Sequence, residues 1–195
     1  MGILVYGVGY NSGGIHLPTE NRKHTKVYAV WKDMIRRGYS QEYKDKHNTY
    51  QDVTVAKEWL DFQVFGDWFY SNYVVGFCLD KDILIKDNKI YCPEYCRFIP
   101  HNINLLFTNR LGKCRNTSLP LGVSERKGKI VKYTAWCNNG KGKTLNLGTY
   151  DTPDEASKIY CTFKKGLAYK VAIVHLREGN IDELTYNAIV SWEIN

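Results

Sequence analysis

Six cysteines stand at positions 78, 92, 96, 114, 137 and 161. Cys92-Pro-Glu-Tyr-Cys96 is the one close pair, a C-x3-C spacing with His101 and Cys114 following it. A structural zinc site is built from two such pairs, or from a pair plus histidines. A single pair points rather to reduced, partly buried cysteines, and zinc is the less favoured reading. The run Gly7-Val8-Gly9-Tyr10-Asn11-Ser12-Gly13-Gly14 is glycine-rich enough to suggest phosphate binding. It has no Lys-Ser/Thr after it, its spacing is not the dinucleotide fingerprint, and Pro18 interrupts any helix that would follow. It reads as part of an irregular or extended arm over residues 1–24.

The strongest chemical signal is charge. Residues 110–170 carry 13 Lys and Arg against 4 Asp and Glu, a net of +9. Residues 1–109 carry 13 against 12, and residues 171–195 carry 1 against 4. The whole chain of 195 residues has a net charge of +7. A basic block confined to one segment attracts a polyanion through phosphate contacts and counterion release. Fifteen tyrosines and five tryptophans add faces on which bases can stack, although most will lie in the core. Nucleic acid is therefore the expected partner. The apolar content of 44% predicts a packed core without disulfide staples. No apolar run is long enough to span a bilayer, and no secretory signal is read at the N-terminus. A cytoplasmic protein with no membrane partner is expected.

The elements that would position these groups are legible from periodicity. Val27, Val30, Trp31 and Met34 fall on one face of a helix over 27–37, ended by Gly38. Residues 40–48 are polar, a solvated linker or exposed helix. A second helix is predicted over 55–73, with Trp59, Leu60, Phe62, Phe65, Trp68 and Phe69 as an aromatic stripe that reads as core. Residues 79–85 read as a strand, Asp87-Asn88 as a turn, and 89–91 with 97–99 as return strands. Pro100 suits the first position of a helix through 107. Residues 110–118 read as a basic linker. Strands over 131–138 and 143–150 flank the hairpin turn Asn138-Asn139-Gly140-Lys141-Gly142. Thr152, Pro153 and Glu155 spell a capping box opening a helix that presents Ala156, Ile159, Tyr160, Phe163 and Leu167 on one face. A last helix lies near 181–192. The expected class is α+β.

The segment Leu79-Asp80-Lys81-Asp82, Asn88, Tyr91-Cys92-Pro93-Glu94-Tyr95-Cys96-Arg97-Phe98 and Asn104 resembles a bacteriophage branch of the HNH, or ββα-metal, endonucleases. Trp31-x-x-Met34-x-x-Arg37 and Trp59-x-x-Phe62 are similar to the same family. The resemblance implies a helical region leading into a ββα unit that holds one divalent ion, Mg²⁺ or Mn²⁺, between first strand and helix. Asp80 and Asn104 match the metal ligands, hard oxygen donors suited to Mg²⁺. The family's catalytic His is absent: Lys81 stands in its place, and His101 at the helix start is the substitute base. The family's middle Asn corresponds to Tyr95.

Gly122-Val123, Tyr133-Thr134-Ala135, Leu147-Gly148-Thr149-Tyr150-Asp151-Thr152, Glu155-Ala156 and Tyr160 resemble the plant ethylene-response-factor (Apetala-two) type of DNA-binding domain, over about 50 residues. The resemblance implies three antiparallel strands packed on one helix, with the sheet entering the major groove. Arg126, Lys129, Tyr133, Trp136, Lys143 and Asn146 are the expected contacts to double-stranded DNA. Its arginine-rich first strand is reduced here to Ser124-Glu125-Arg126.

The expected organisation is an arm (1–26), a nuclease-like domain (27–109), a linker (110–118), a DNA-binding domain (119–172) and a helical tail (173–195). The expected function is metal-dependent cleavage of duplex DNA. The alternative is a non-catalytic DNA-binding protein on a degenerate scaffold, a regulator or host-interaction factor.

Overall fold

The computed structural model describes residues 4–107, 118–140 and 142–192, with the backbone alone at 106 and 107. The chain is α+β and divides into two compact units, Met1–Phe98 and Ile99–Asn195. The cut precedes the basic stretch 110–118, most of which lies outside the described residues.

The first unit opens with a hairpin of β1 (Thr19–Glu20) and β2 (Lys23–His24), followed by α1 (Lys26–Tyr39) and α2 (Gln41–Lys46). Thr25 caps α1, its hydroxyl accepting from Tyr28 N, and Val27, Trp31, Met34 and Ile35 turn inward. The long helix expected over 55–73 is divided. Thr54–Val55 form β3, a 3₁₀ turn spans Lys57–Leu60, and α3 runs only from Phe62 to Asn72. Asp61 makes the division by accepting from Gln63 N as the helix cap. The aromatic stripe is core as its spacing implied: Trp59, Phe62, Phe65 and Phe69 are buried, with Leu60 and Trp68 against them. Trp31 ties α1 to the 3₁₀ turn by donating Nε1–H to Trp59 O at 2.8 Å.

The opening residues are irregular before β1, and they pack onto α1 and α3. Gly9 lies against Trp31, where a Cβ would come within 2.9 Å of the indole. His16 is buried over Gly66, stacks on Tyr70, and bonds Asp67 at 2.8 Å through Nε2. Beyond α3, β4 (Phe77–Asp80) pairs with β6 (Arg97–Pro100), whose first half closes this unit. β5 (Ile90–Tyr91) pairs in parallel with β3. The strand expected over 79–85 stops at Asp80, because that side chain folds the following residues into a turn. Pro100 ends β6 rather than opening a helix.

The second unit begins with α4 (His101–Phe107) and continues with an antiparallel sheet of β7 (Val123–Arg126), β8 (Lys132–Asn138) and β9 (Thr144–Tyr150). α5 (Pro153–Arg177) opens on the capping box of Thr152 and Glu155 and covers one face of the sheet. Its buried stripe is Ala156, Tyr160, Lys164, Ala168 and Ala172, so Ile159 points outward, contrary to the expected face. α6 (Glu183–Ser191), capped by Asp182, returns along α5. Gly122 is required twice: its φ is +73°, and a Cβ would meet the Tyr160 ring at 2.2 Å. No helix among the described residues is long and apolar enough to cross a membrane.

Candidate functional site

Two places collect the residues singled out in the sequence, one in each unit. In the first, Asp80 ends β4 half-buried. Its Oδ1 accepts from the backbone N–H of Asp82 at 2.8 Å and of Ile83 at 2.7 Å. These bonds fix the carboxylate direction, and Oδ2 has no hydrogen-bond partner among the described residues. Burial, reinforced by Asp82, pushes the Asp80 carboxyl above the usual carboxylate range. Asp82 is pushed up too, chiefly by burial, although Lys81 opposes the shift.

Lys81 is buried, and its ammonium donates to the Asp82 carboxylate and to Asn88 O. Asn88 completes the tie: its amide donates to Lys81 O at 2.7 Å and Ile90 O at 2.8 Å, and its Oδ1 accepts from Ile90 N at 3.1 Å. Asp87 beside it takes φ +62°, the left-handed conformation expected of this turn. Asn88 therefore holds the loop, whereas Tyr95, the position matched to the family's middle Asn, is exposed. An Asn between two strands is a recognisable signal for such a bridge, because its amide can serve both sides of a turn.

Arg37, Tyr50 and Tyr91 lie in the same unit. The Arg37 guanidinium bonds Asp33 at 2.7 Å and Tyr91 Oη at 3.3 Å, and sits 5.9 Å from the centre of the Tyr50 ring. Its Nε is buried with no partner among the described residues. Burial pushes Tyr50 up, and the nearby Asp80 and Asp82 charges add to that shift. Cys92 and Cys96 are buried, joined by Cys96 N donating to Cys92 O at 3.0 Å, and burial raises both thiols. Cys114, the further thiol considered for zinc, lies outside the described residues.

His101 and Asn104 belong to the second unit, three residues apart on α4. His101 is exposed and Asn104 half-buried.

The second place is the sheet face opposite α5. Pairing aligns Arg126 with Lys132, Ser124 with Thr134 and Thr149, and Trp136 with Asn146. Trp136 is 39% exposed and donates Nε1–H to Ser124 Oγ at 2.9 Å. Thr134 and Thr149 bond each other at 3.1 Å, and Lys132 pairs with Asp151. Lys129 is exposed between β7 and β8, and Lys143 is exposed where the hairpin enters β9. Asn146 has a structural duty: its Oδ1 accepts from Gly148 N at 2.9 Å, holding the bulge that places Leu147 inward. Tyr133 does not join this face. It packs with Val123, Ala135 and Ala156 under α5, because residues at odd and even positions of β8 face opposite ways. Counting by twos from Trp136 also finds Thr134 and Lys132, which composition alone passed over.

Compared with protein-family models, curated proteins and solved structures, the chain matches none.

Proposed function

We propose that this protein binds duplex DNA through the outer face of the β7–β9 sheet and cleaves its phosphodiester backbone with a divalent cation, Mg²⁺ or Mn²⁺, held at Asp80. The observation that carries the reading is the outer sheet face itself. One surface of a three-stranded sheet presents Arg126, Lys132, Trp136 and Asn146, while α5 covers the other. A β-element of this width fits the major groove. Cations there meet phosphates, and the indole and amide meet sugar and base edges.

Asp80 suits a hard cation, since backbone bonds orient one carboxylate oxygen and leave the other open. A bound cation supplies charge neutralisation at the scissile phosphate and leaving oxygen.

Lys81 favours a second reading, a non-catalytic DNA-binding protein. Its ammonium already donates to Asp82 and Asn88 O, which suits a structural cation and not a base.

Supercoiled plasmid incubated with Mg²⁺ or Mn²⁺ separates the two. Metal-dependent relaxed or linear product, lost in Asp80→Ala while binding persists, supports cleavage. Bound but intact plasmid supports the second reading. Absence of binding overturns both.

A further inference from the structure

The β1–β2 hairpin is built as a rigid two-residue turn. Glu20 pairs with Lys23, and the residues between them, Asn21 and Arg22, have φ of 49° and 62°. Positive φ at both central positions is the type I′ geometry, which matches the twist of a hairpin. The base is anchored as well. Thr25 donates Oγ1–H to Leu17 O at 2.7 Å and its backbone N–H to Pro18 O at 3.0 Å. The His24 ring lies 4.8 Å from that of Tyr28, and His16 fixes the preceding segment to α3.

Arg22, Lys23, His24 and Lys26 are all exposed on this support. Among the described residues, no carboxylate forms an ion pair with Arg22, Lys23 or Lys26. Residues 20–26 carry three Lys and Arg against one Glu, a net of +2. The rest of residues 1–98 carries ten against eleven, a net of −1. The positive excess of the first unit therefore lies entirely in this hairpin and the start of α1. In the same unit Arg36 and Arg37 pair with Asp33, and Lys46 with Glu42.

We propose that the β1–β2 hairpin is a second phosphate-contacting element for duplex DNA, in the unit that does not carry the basic sheet. The inference rests on the duplex-DNA reading above and adds a surface to it. Arg22 offers a planar fork suited to bidentate phosphate contact, and Lys23 a point charge beside it. Because the turn is already ordered, contact requires little further loss of backbone freedom. Such contacts position a duplex without reading its sequence.

The test uses the full chain, a short duplex oligonucleotide and a potassium chloride series, with affinity read by fluorescence anisotropy. The variant is Arg22→Asn with Lys23→Gln; Asn tolerates the left-handed conformation at position 22, so the turn is kept. Lys46→Gln is the charge control, and Arg126→Gln reports on the sheet. Each phosphate contact contributes about 0.9 to the slope of log affinity against log salt, so the hairpin variant should lower that slope by about two. Its affinity at low salt should fall about tenfold or more. Lys46→Gln should match the wild type. A hairpin variant with unchanged slope, beside a weakened Arg126→Gln, overturns the hairpin contact and leaves the DNA reading standing. A wild-type chain that does not bind the duplex overturns the DNA reading, and the hairpin contact with it.

Discussion

Asn88 and Lys81 hold each other across the loop that follows β4. The Asn88 amide donates to the Lys81 carbonyl at 2.7 Å, and the Lys81 ammonium donates to the Asn88 carbonyl. The loop carrying Asp82 is thereby closed on itself, and the backbone N–H groups that orient Asp80 are held in place.

Asn88→Ala should loosen this loop first. It removes two donated bonds and one accepted bond, and the loss should be about 1–3 kcal/mol. Urea unfolding monitored by tryptophan fluorescence measures it. Asn88→Asp retains only the acceptor to Ile90 N and should fall between the two. Wild-type stability in Asn88→Ala would remove the loop-tying role.

Gly122 and Gly140 test steric need against conformational need. Both have positive φ, +73° and +74°. At Gly122 an added Cβ meets the Tyr160 ring at 2.2 Å, whereas at Gly140 nothing lies within 4 Å. Gly140→Ala should cost about 1 kcal/mol through backbone strain alone. Gly122→Ala adds overpacking and should cost about 2–4 kcal/mol. Equal losses in thermal unfolding would contradict the close approach.

Lys164 should make stability rise with pH in the alkaline range. The side chain is buried, with its ammonium donating to Tyr160 Oη at 2.9 Å and no carboxylate paired to it among the described residues. Burial pushes it below the ordinary lysine value of 10.5. Below the folded-state value the amine is protonated in both states, and the penalty is complete. Between the folded-state value and 10.5 the unfolded chain holds more protons, so stability increases with pH. Lys164→Met should be at least as stable at neutral pH and should lack this contribution. Identical pH slopes for variant and wild type would count against it.

Trp136 and Tyr133 separate the two faces of β8. Trp136→Ala should weaken duplex binding by more than about 1 kcal/mol through lost contact with sugar and base edges, while leaving the fold nearly intact. Tyr133→Ala should instead reduce stability, because the ring packs with Val123 and Ala156 under α5. Anisotropy paired with thermal melts reads both, and reversed behaviour would exchange the assigned faces.

Periodicity and capping chemistry in the sequence determined much of the local structure. The 3.6-residue spacing of Val27, Trp31 and Met34 gave α1, and the Thr152–Glu155 box gave the start of α5. The strands on either side of residues 138–143 were equally legible, because these signals act between residues close in the chain. The confinement of net positive charge to 110–170 is likewise a property of the sequence alone.

Tertiary structure decided what a side chain faces. Two local captures were missed by periodicity, although they act within three residues: Asp61 divided the expected long helix by capping α3, and the Asp80 carboxylate ended β4 early by taking two backbone N–H groups. Lys81 became a buried tie through Asn88, seven residues away. Tyr133 went beneath α5 while Trp136 stayed outside, since strand register and helix docking choose the covered face. His16 and Gly9 drew the opening residues onto α3 and α1, and so left the hairpin's cations on a fixed support. Local spacing specifies an element, but the partners of a charge or ring come from distant segments brought together by burial, where an unpaired polar group is costly.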